Sequence, residues 1–385
     1  MPDFQFSRFP PSATPVPLVS SAARTRNAAI DHLRIVLTTL VVLHHVAIAY
    51  GGSGGWYWRE EPNASSLPLI LFNAFNQSYF MGFFFLLAGY YTPPSVERKG
   101  PRRYILDRLL RLGVPLLVYF FLISTLTIAL THRSATFPFW SAWTTMIRQG
   151  EFEPGPLWFA LALLIFAGCY LLWRQLRPAR AAAAEISLPS FRTLALAAVM
   201  LGLVNFVVRL AIPVGEQVLW LQLGYFPCYI YLFAAGCAAS RARLLENITF
   251  AQARPWLIVS ALVALTLPAV VARSPGLGDF IGGWNLRALY YALWDPFVAW
   301  GVILGLLWAA NRAWIRATPF TAALARSAFA AYIVHPPVVV SLGLLAVSWP
   351  LPPLAKAALV GALAVAGSFA LGDLLRRLPG AARIL

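Results

Sequence analysis

The sequence predicts an all-α fold, a polytopic transmembrane helical bundle of about ten spans with both termini in the cytoplasm. Three observations carry this expectation. Of 385 residues, 59% are hydrophobic and only 11% charged, with a mean hydropathy of +0.69, far from the roughly one quarter charged residues of a soluble domain. Apolar runs of about 20 residues, the length that crosses a bilayer, recur between charged or Pro/Gly-rich breaks. They lie near 29 to 50, 68 to 91, 112 to 130, 156 to 173, 191 to 212, 224 to 240, 255 to 272, 287 to 310, 327 to 347 and 353 to 375. The basic residues then sort by side: Arg34 falls inside the first span, and the rest divide 22 inside to 7 outside, the bias that orients multi-pass proteins. Lipid headgroups and this bias account for most of the net charge of +16, which needs no nucleic acid partner.

Residues 1–28, with Phe9-Pro10-Pro11 through Pro17, read as a disordered cytoplasmic tail. Residues 29–375 form one transmembrane domain and 376–385 a cytoplasmic C-terminal tail. The first apolar run begins near residue 29 and is long enough to span, so it is expected to stay in the mature protein rather than be cleaved as a signal. Cys169, Cys228 and Cys237 are few, odd in number and close to spans, which indicates neither a disulfide framework nor a metal site.

The first span carries Asp31, Arg34, Thr38, His44 and His45. Arg34 and His45 are eleven residues apart, which on a helix leaves them within roughly 20° of one face and about 16 Å apart along the axis. Ionisable groups inside a bilayer are costly and normally face the protein interior, so this stripe reads as a functional site. The alternative for Asp31 and Arg34 is anchoring at the cytoplasmic headgroups, where arginine snorkels. His44 falls about 100° from His45 and looks toward a neighbouring helix. His45 belongs to the outer half of the bilayer. The second span brings Asn73, Asn76 and Gln77 to one face at comparable depth, either as interhelical glue or as a polar pocket for an acceptor.

A dense basic cluster follows, Glu97-Arg98-Lys99-Gly100-Pro101-Arg102-Arg103, then Arg108-Leu109-Leu110-Arg111. Arg108 and Arg111 can offer two guanidinium forks to one multiply charged anion such as a nucleotide phosphate. Anionic membrane lipid suits them equally. Farther along, Asp295 precedes Pro296 in the eighth span and His335 precedes Pro336-Pro337 in the ninth. Each is a candidate to orient His45, and Asp295 could instead satisfy backbone donors freed by the kink. Gly301-x-x-x-Gly305 offers a face for close helix contact, within or between chains.

Taken together these residues resemble the acyltransferase 3 family of integral-membrane acyltransferases. The resemblance rests on the Arg34 to His45 spacing, Phe84-Phe85-Leu86-Leu87-Ala88-Gly89-Tyr90, Arg108-x-x-Arg111, Leu157-Trp158-Phe159 and Tyr332-Ile333-Val334-His335-Pro336. These run in order from about residue 26 to 340. Within the family, His44-His45-Val46-Ala47 to Tyr50-Gly51 and the stretch from Phe80 to Arg111 are most similar to the glucan biosynthesis protein C branch, which adds succinyl groups to periplasmic glucans.

The resemblance implies an O-acyltransferase of the bacterial inner membrane. Acyl-coenzyme A would bind from the cytoplasm as donor substrate, with no metal, and the acyl group would pass to a hydroxyl of an extracytoplasmic glycan. Arg108 and Arg111 would hold the nucleotide phosphates, and the pantetheine arm would thread past Arg34. His45 would be the general base, since imidazole titrates near working pH. An acyl-imidazole intermediate is the other use of the same ring. From composition and topology alone the rival is a transporter of a polar or anionic solute, although no pair of equivalent interrupted helices marks two halves. A non-enzymatic scaffold would explain the hydrophobicity but not the stripe.

Overall fold

A long helix opens the bundle because Ala28–Ala49 (α1) is a predominantly apolar stretch with neither proline nor glycine to break it. The computed structural model describes residues 28–134, 136–176, 187–312 and 318–385. The expected N-terminal tail, save Ala28, lies outside the described residues, as do Arg8, Arg24, Arg26, Arg177, Arg180 and Arg316 of the inside basics.

After α1 come α2 (Leu67–Lys99), α3 (Pro101–His132), α4 (Phe139–Gln149), α5 (Gly155–Leu176), α6 (Phe191–Ala211), α7 (Leu223–Ala239), α8 (Phe250–Ala272), α9 (Leu286–Ala310), α10 (Pro319–Ala346) and α11 (Pro353–Arg376). Among the described residues there is no strand beyond an isolated bridge between Val218 and Leu221. Among the described residues nine helices are long and apolar enough to cross a membrane, and α7, at the position of the sixth expected span, is a shorter apolar helix. The chain is an all-α polytopic bundle. α4 lies outside the expected spans, on the loop between α3 and α5.

The basic cluster after the second span is helical almost throughout. Arg98 and Lys99 end α2, Arg102 and Arg103 open α3, and only Gly100, at φ 77°, separates the two helices. Physical chemistry favours this hairpin: cations suit a helix C-terminus, a left-handed turn suits glycine, and Pro101 sits at a first helical position. The Lys99 ammonium pairs with Asp107 across the turn. Within α3, Leu109–Gly113 and Tyr119–Ile123 are π turns, the first beginning directly after Arg108.

α1 sits against α2, α10 and α11, and α9 against α6 and α8. The face marked by Gly301 and Gly305 is used within the chain. A Cβ added at Gly301 would stand 2.1 Å from the Ser260 Cβ and one at Gly305 would stand 2.5 Å from Leu257, so α9 and α8 approach at backbone distance. Ser260 Oγ donates to the Val298 carbonyl across the same crossing, at 3.1 Å. Two proline pairs are absorbed inside helices, Pro93-Pro94 in α2 and Pro336-Pro337 in α10.

Candidate active site

The loop between α1 and α2 folds back over the outer end of the bundle and is stapled there. Arg59 donates to the carbonyls of Gly52, Gly54 and Ala64, at 3.0 to 3.3 Å. Lys356 of α11, nearly buried, pairs with Glu60 at 2.5 Å. Both cations count among the outside basics in the sequence, yet here they fix a loop. The loop in turn lays the Trp56 ring on His45, with ring centroids 3.9 Å apart and 23° between planes.

His45 projects from the last turns of α1 and meets His335 of α10. The His335 Nε2 lies 3.1 Å from the His45 Nδ1, and the rings stack at 5.0 Å. His335 is fully buried, with its Nδ1 2.7 Å from the Tyr332 carbonyl of its own helix. A carbonyl only accepts, so this contact needs the His335 proton on Nδ1, and a neutral ring then carries a lone pair on Nε2. The His45 Nδ1 faces that lone pair and also the Val41 carbonyl at 3.0 Å. Both neighbours are acceptors, so the His45 proton belongs on Nδ1 and its Nε2 is left basic. A chain of carbonyl, imidazole and imidazole thus selects the tautomer a general base requires.

A cavity of about 690 Å³ opens beside this chain, lined by His44, His45, Trp56, Tyr57, Asn73 and Gln77, among others. Its other walls come from Glu153, Trp158, Tyr225, Tyr229 and the outer loops. Aromatic faces with a few convergent polar groups are the usual make-up of a small-molecule site. On one wall the Tyr57 and Tyr119 hydroxyls are 2.9 Å apart, and Glu153 lines the same cavity. Burial pushes the Glu153 carboxyl above the usual glutamate range. It pushes the Tyr57 phenol well up too, helped by Tyr119.

The sequence-derived candidates divide. His45 and His335 come together. Asn73 and Gln77 line the cavity, but Asn73 donates to the His44 carbonyl at 3.0 Å and Gln77 to the Tyr229 hydroxyl at 3.1 Å. Asn76, fully buried, donates to the Leu40 carbonyl and to the His44 Nδ1, each at 3.3 Å. The amides therefore tie α2 to α1, the glue alternative of the sequence reading, while two of them also edge the cavity.

Arg34 does not face the interior as the stripe argument expects. Its side chain is 45% exposed, with Asp31 at 3.9 Å and the Tyr91 ring 5.5 Å away, and it is absent from the cavity wall. Snorkelling explains the departure, because a guanidinium one or two turns from the inner end of α1 can reach headgroup depth. Arg108 is half-buried over the Tyr104 ring at 5.1 Å, and Arg111 is exposed.

Asp295 does not orient His45. It is buried against Arg209 of α6, at 2.5 Å, and Arg209 also donates to the Gly224 carbonyl at 3.0 Å. The guanidinium is sandwiched between the Tyr225 and Tyr291 rings, at 5.2 and 5.4 Å. A buried carboxylate takes the nearest cation, and the sequence reading misses this one by counting Arg209 with the outside basics. Trp56, Tyr57 and Glu153 are also missed. The run Trp56-Tyr57-Trp58 is the signal that could have found the first two.

A family model described as an acyltransferase domain, that of the acyltransferase 3 family, matches residues 27–373. Comparison with curated proteins and with solved structures found no match. With the family match running from the start of α1 almost to the end of α11, the chain belongs to the acyltransferase 3 family and is a multi-pass membrane acyltransferase.

Proposed function

We propose that the protein is an O-acyltransferase that moves an acyl group from cytoplasmic acyl-coenzyme A to a hydroxyl of an extracytoplasmic glycan in a bacterial inner membrane. The observation that carries this reading is the His335–His45 pair beside the cavity. It supplies one imidazole nitrogen without a proton, beside a cavity with aromatic walls against which sugar rings can stack.

In this reading the acceptor hydroxyl enters from the outer side, where the loop residues Ser53 and Gly54 line the cavity. His45 Nε2 takes the hydroxyl proton as the oxygen attacks the thioester carbonyl. The C–O bond forms, the C–S bond breaks, and the proton passes to the departing coenzyme A thiolate, returning the imidazole to its starting form. On the inner side Arg108 and Arg111 hold the nucleotide phosphates and Arg34 flanks the pantetheine arm. The acyl group and acceptor suggested by the branch resemblance are succinyl and a periplasmic glucan.

The test is transfer in proteoliposomes holding purified protein, with labelled acetyl- or succinyl-coenzyme A on one side and a glucan acceptor on the other. Label appearing on the glucan supports the reading. Accumulation of intact solute without acyl transfer would replace it with a transporter. Double replacement of Arg108 and Arg111 by Ala is expected to weaken acyl-coenzyme A binding, and unaltered affinity would remove them from the donor site.

A further inference from the structure

His44 is not needed as the base, yet it lines the same cavity as His45 and is held in the opposite sense. The Asn76 amide nitrogen donates to the Leu40 carbonyl, which fixes which end of the amide is nitrogen, since an oxygen there would face an oxygen. Its other proton points to the His44 Nδ1. That ring nitrogen must therefore accept, and a neutral imidazole then carries its proton on Nε2. Phe80 stacks on the His44 ring at 5.0 Å, and Asn73 holds the His44 backbone carbonyl, so ring and backbone are both fixed. His44 and His45 stand edge to face, with centroids 5.6 Å apart. Neither Nε2 has a hydrogen-bond partner among the described residues, and both residues line the cavity.

Two adjacent imidazoles thus present opposite chemistry to one space: a lone pair from His45 and an N–H from His44. We propose that His44 is a second catalytic residue, whose Nε2–H donates to the thioester carbonyl oxygen as it becomes the oxyanion of the tetrahedral intermediate. The inference rests on the acyl-transfer reading above and adds an electrophile to it. As the acceptor oxygen attacks and His45 takes its proton, negative charge gathers on the carbonyl oxygen. A donor already fixed in place stabilises that charge without reorganising. A neutral imidazole serves as such a donor without adding a buried cation. When the intermediate collapses and the C–S bond breaks, the carbonyl re-forms and His44 has neither gained nor lost a proton.

Two measurements test this. In the full-length protein with ¹⁵N-histidine, reconstituted in nanodiscs, the ring nitrogen shifts are expected to place the His44 proton on Nε2 and the His45 proton on Nδ1. The same tautomer for both rings would overturn the inference. In the transfer assay, His44→Leu is expected to lower kcat by about 10²–10³-fold, the usual loss of one oxyanion donor, with little change in KM for the acyl donor. His44→Gln, whose amide nitrogen can occupy the Nε2 position, is expected to recover at least tenfold of that loss. Equal activity of His44→Leu and wild type would overturn the role of His44 while leaving His45 as base. Equal loss in the Leu and Gln variants, with the fold intact by thermal unfolding, would reduce His44 to a structural residue. A wild-type protein that transfers no acyl group would instead overturn the reading on which this inference stands.

Discussion

The His335 Nε2 and the His45 Nδ1 are 3.1 Å apart, although 290 residues separate them in the chain. This contact links α1 to α10, and in the proposed mechanism it gives His335 a positioning role, since its proton on Nδ1 leaves the acceptor that orients His45. His335→Ala is expected to lower kcat by about 10²–10⁴-fold, the contribution of a positioned general base, with KM for the acyl donor little changed. The pH–rate profile should shift with it, a readout that mere loosening of the helix contact would not move. Wild-type kcat in the variant would separate the two histidines functionally.

The Arg209–Asp295 pair supports the bundle behind the cavity wall and is expected to matter for stability. Removing one partner of a buried ion pair leaves the other charge uncompensated and costs about 3–5 kcal/mol. Arg209→Met and Asp295→Leu alone should each lower the thermal midpoint in detergent. The double variant should regain much of the loss, because it buries no charge. A double variant no better than either single one would show that the charges are not coupled.

Glu153 is expected to make the stability of the outer loops depend on pH. Burial raises its carboxyl above the ordinary glutamate range, so the folded protein holds this proton more tightly than the unfolded chain. The contribution to stability is then fully present below the ordinary glutamate pKa and is lost as pH rises through the raised folded value. Glu153→Gln should match wild type in acid and gain on it as pH rises across that window. Unfolding midpoints followed against pH check this; a constant offset between the two proteins would contradict it.

Gly301 admits α8 to α9. A Cβ there would meet the Ser260 Cβ at 2.1 Å, so Gly301→Val must push the helices apart. Overpacking of this kind costs typically about 1–3 kcal/mol, and thermal unfolding of the purified variant should show the loss. An unchanged midpoint would mean the crossing yields more easily than its geometry implies.

Much of this architecture can be read from the chain because its cause is local. Runs of about 20 apolar residues, cationic inside segments and glycine-proline turns act over short stretches, so the spans stand close to their expected positions. The Arg34 to His45 spacing fixes direction around one helix but not outcome: Arg34 turns away from the interior, and His44 lines the cavity along with His45. What local rules leave open is partnership across the bundle. Asp295 could satisfy a kink, a catalytic ring or a cation. Only the fold brings Arg209 to it, because Arg209 lies so near the outer end of its span that it counts among the outside basics rather than as a buried cation. Arg34 differs for a complementary reason: periodicity gives its direction around the helix, while its long side chain can still bend toward the headgroups. Trp56 and Glu153 lie on loops, where no periodicity operates and packing over the helix ends decides what reaches the cavity.

His45→Ala, assayed beside wild type in proteoliposomes for movement of labelled acyl group from acyl-coenzyme A to glucan, tests the central claim most directly. With the fold intact by thermal unfolding, the variant is expected to retain no transfer above the protein-free background. Transfer at the wild-type rate in His45→Ala would contradict a mechanism built on that imidazole.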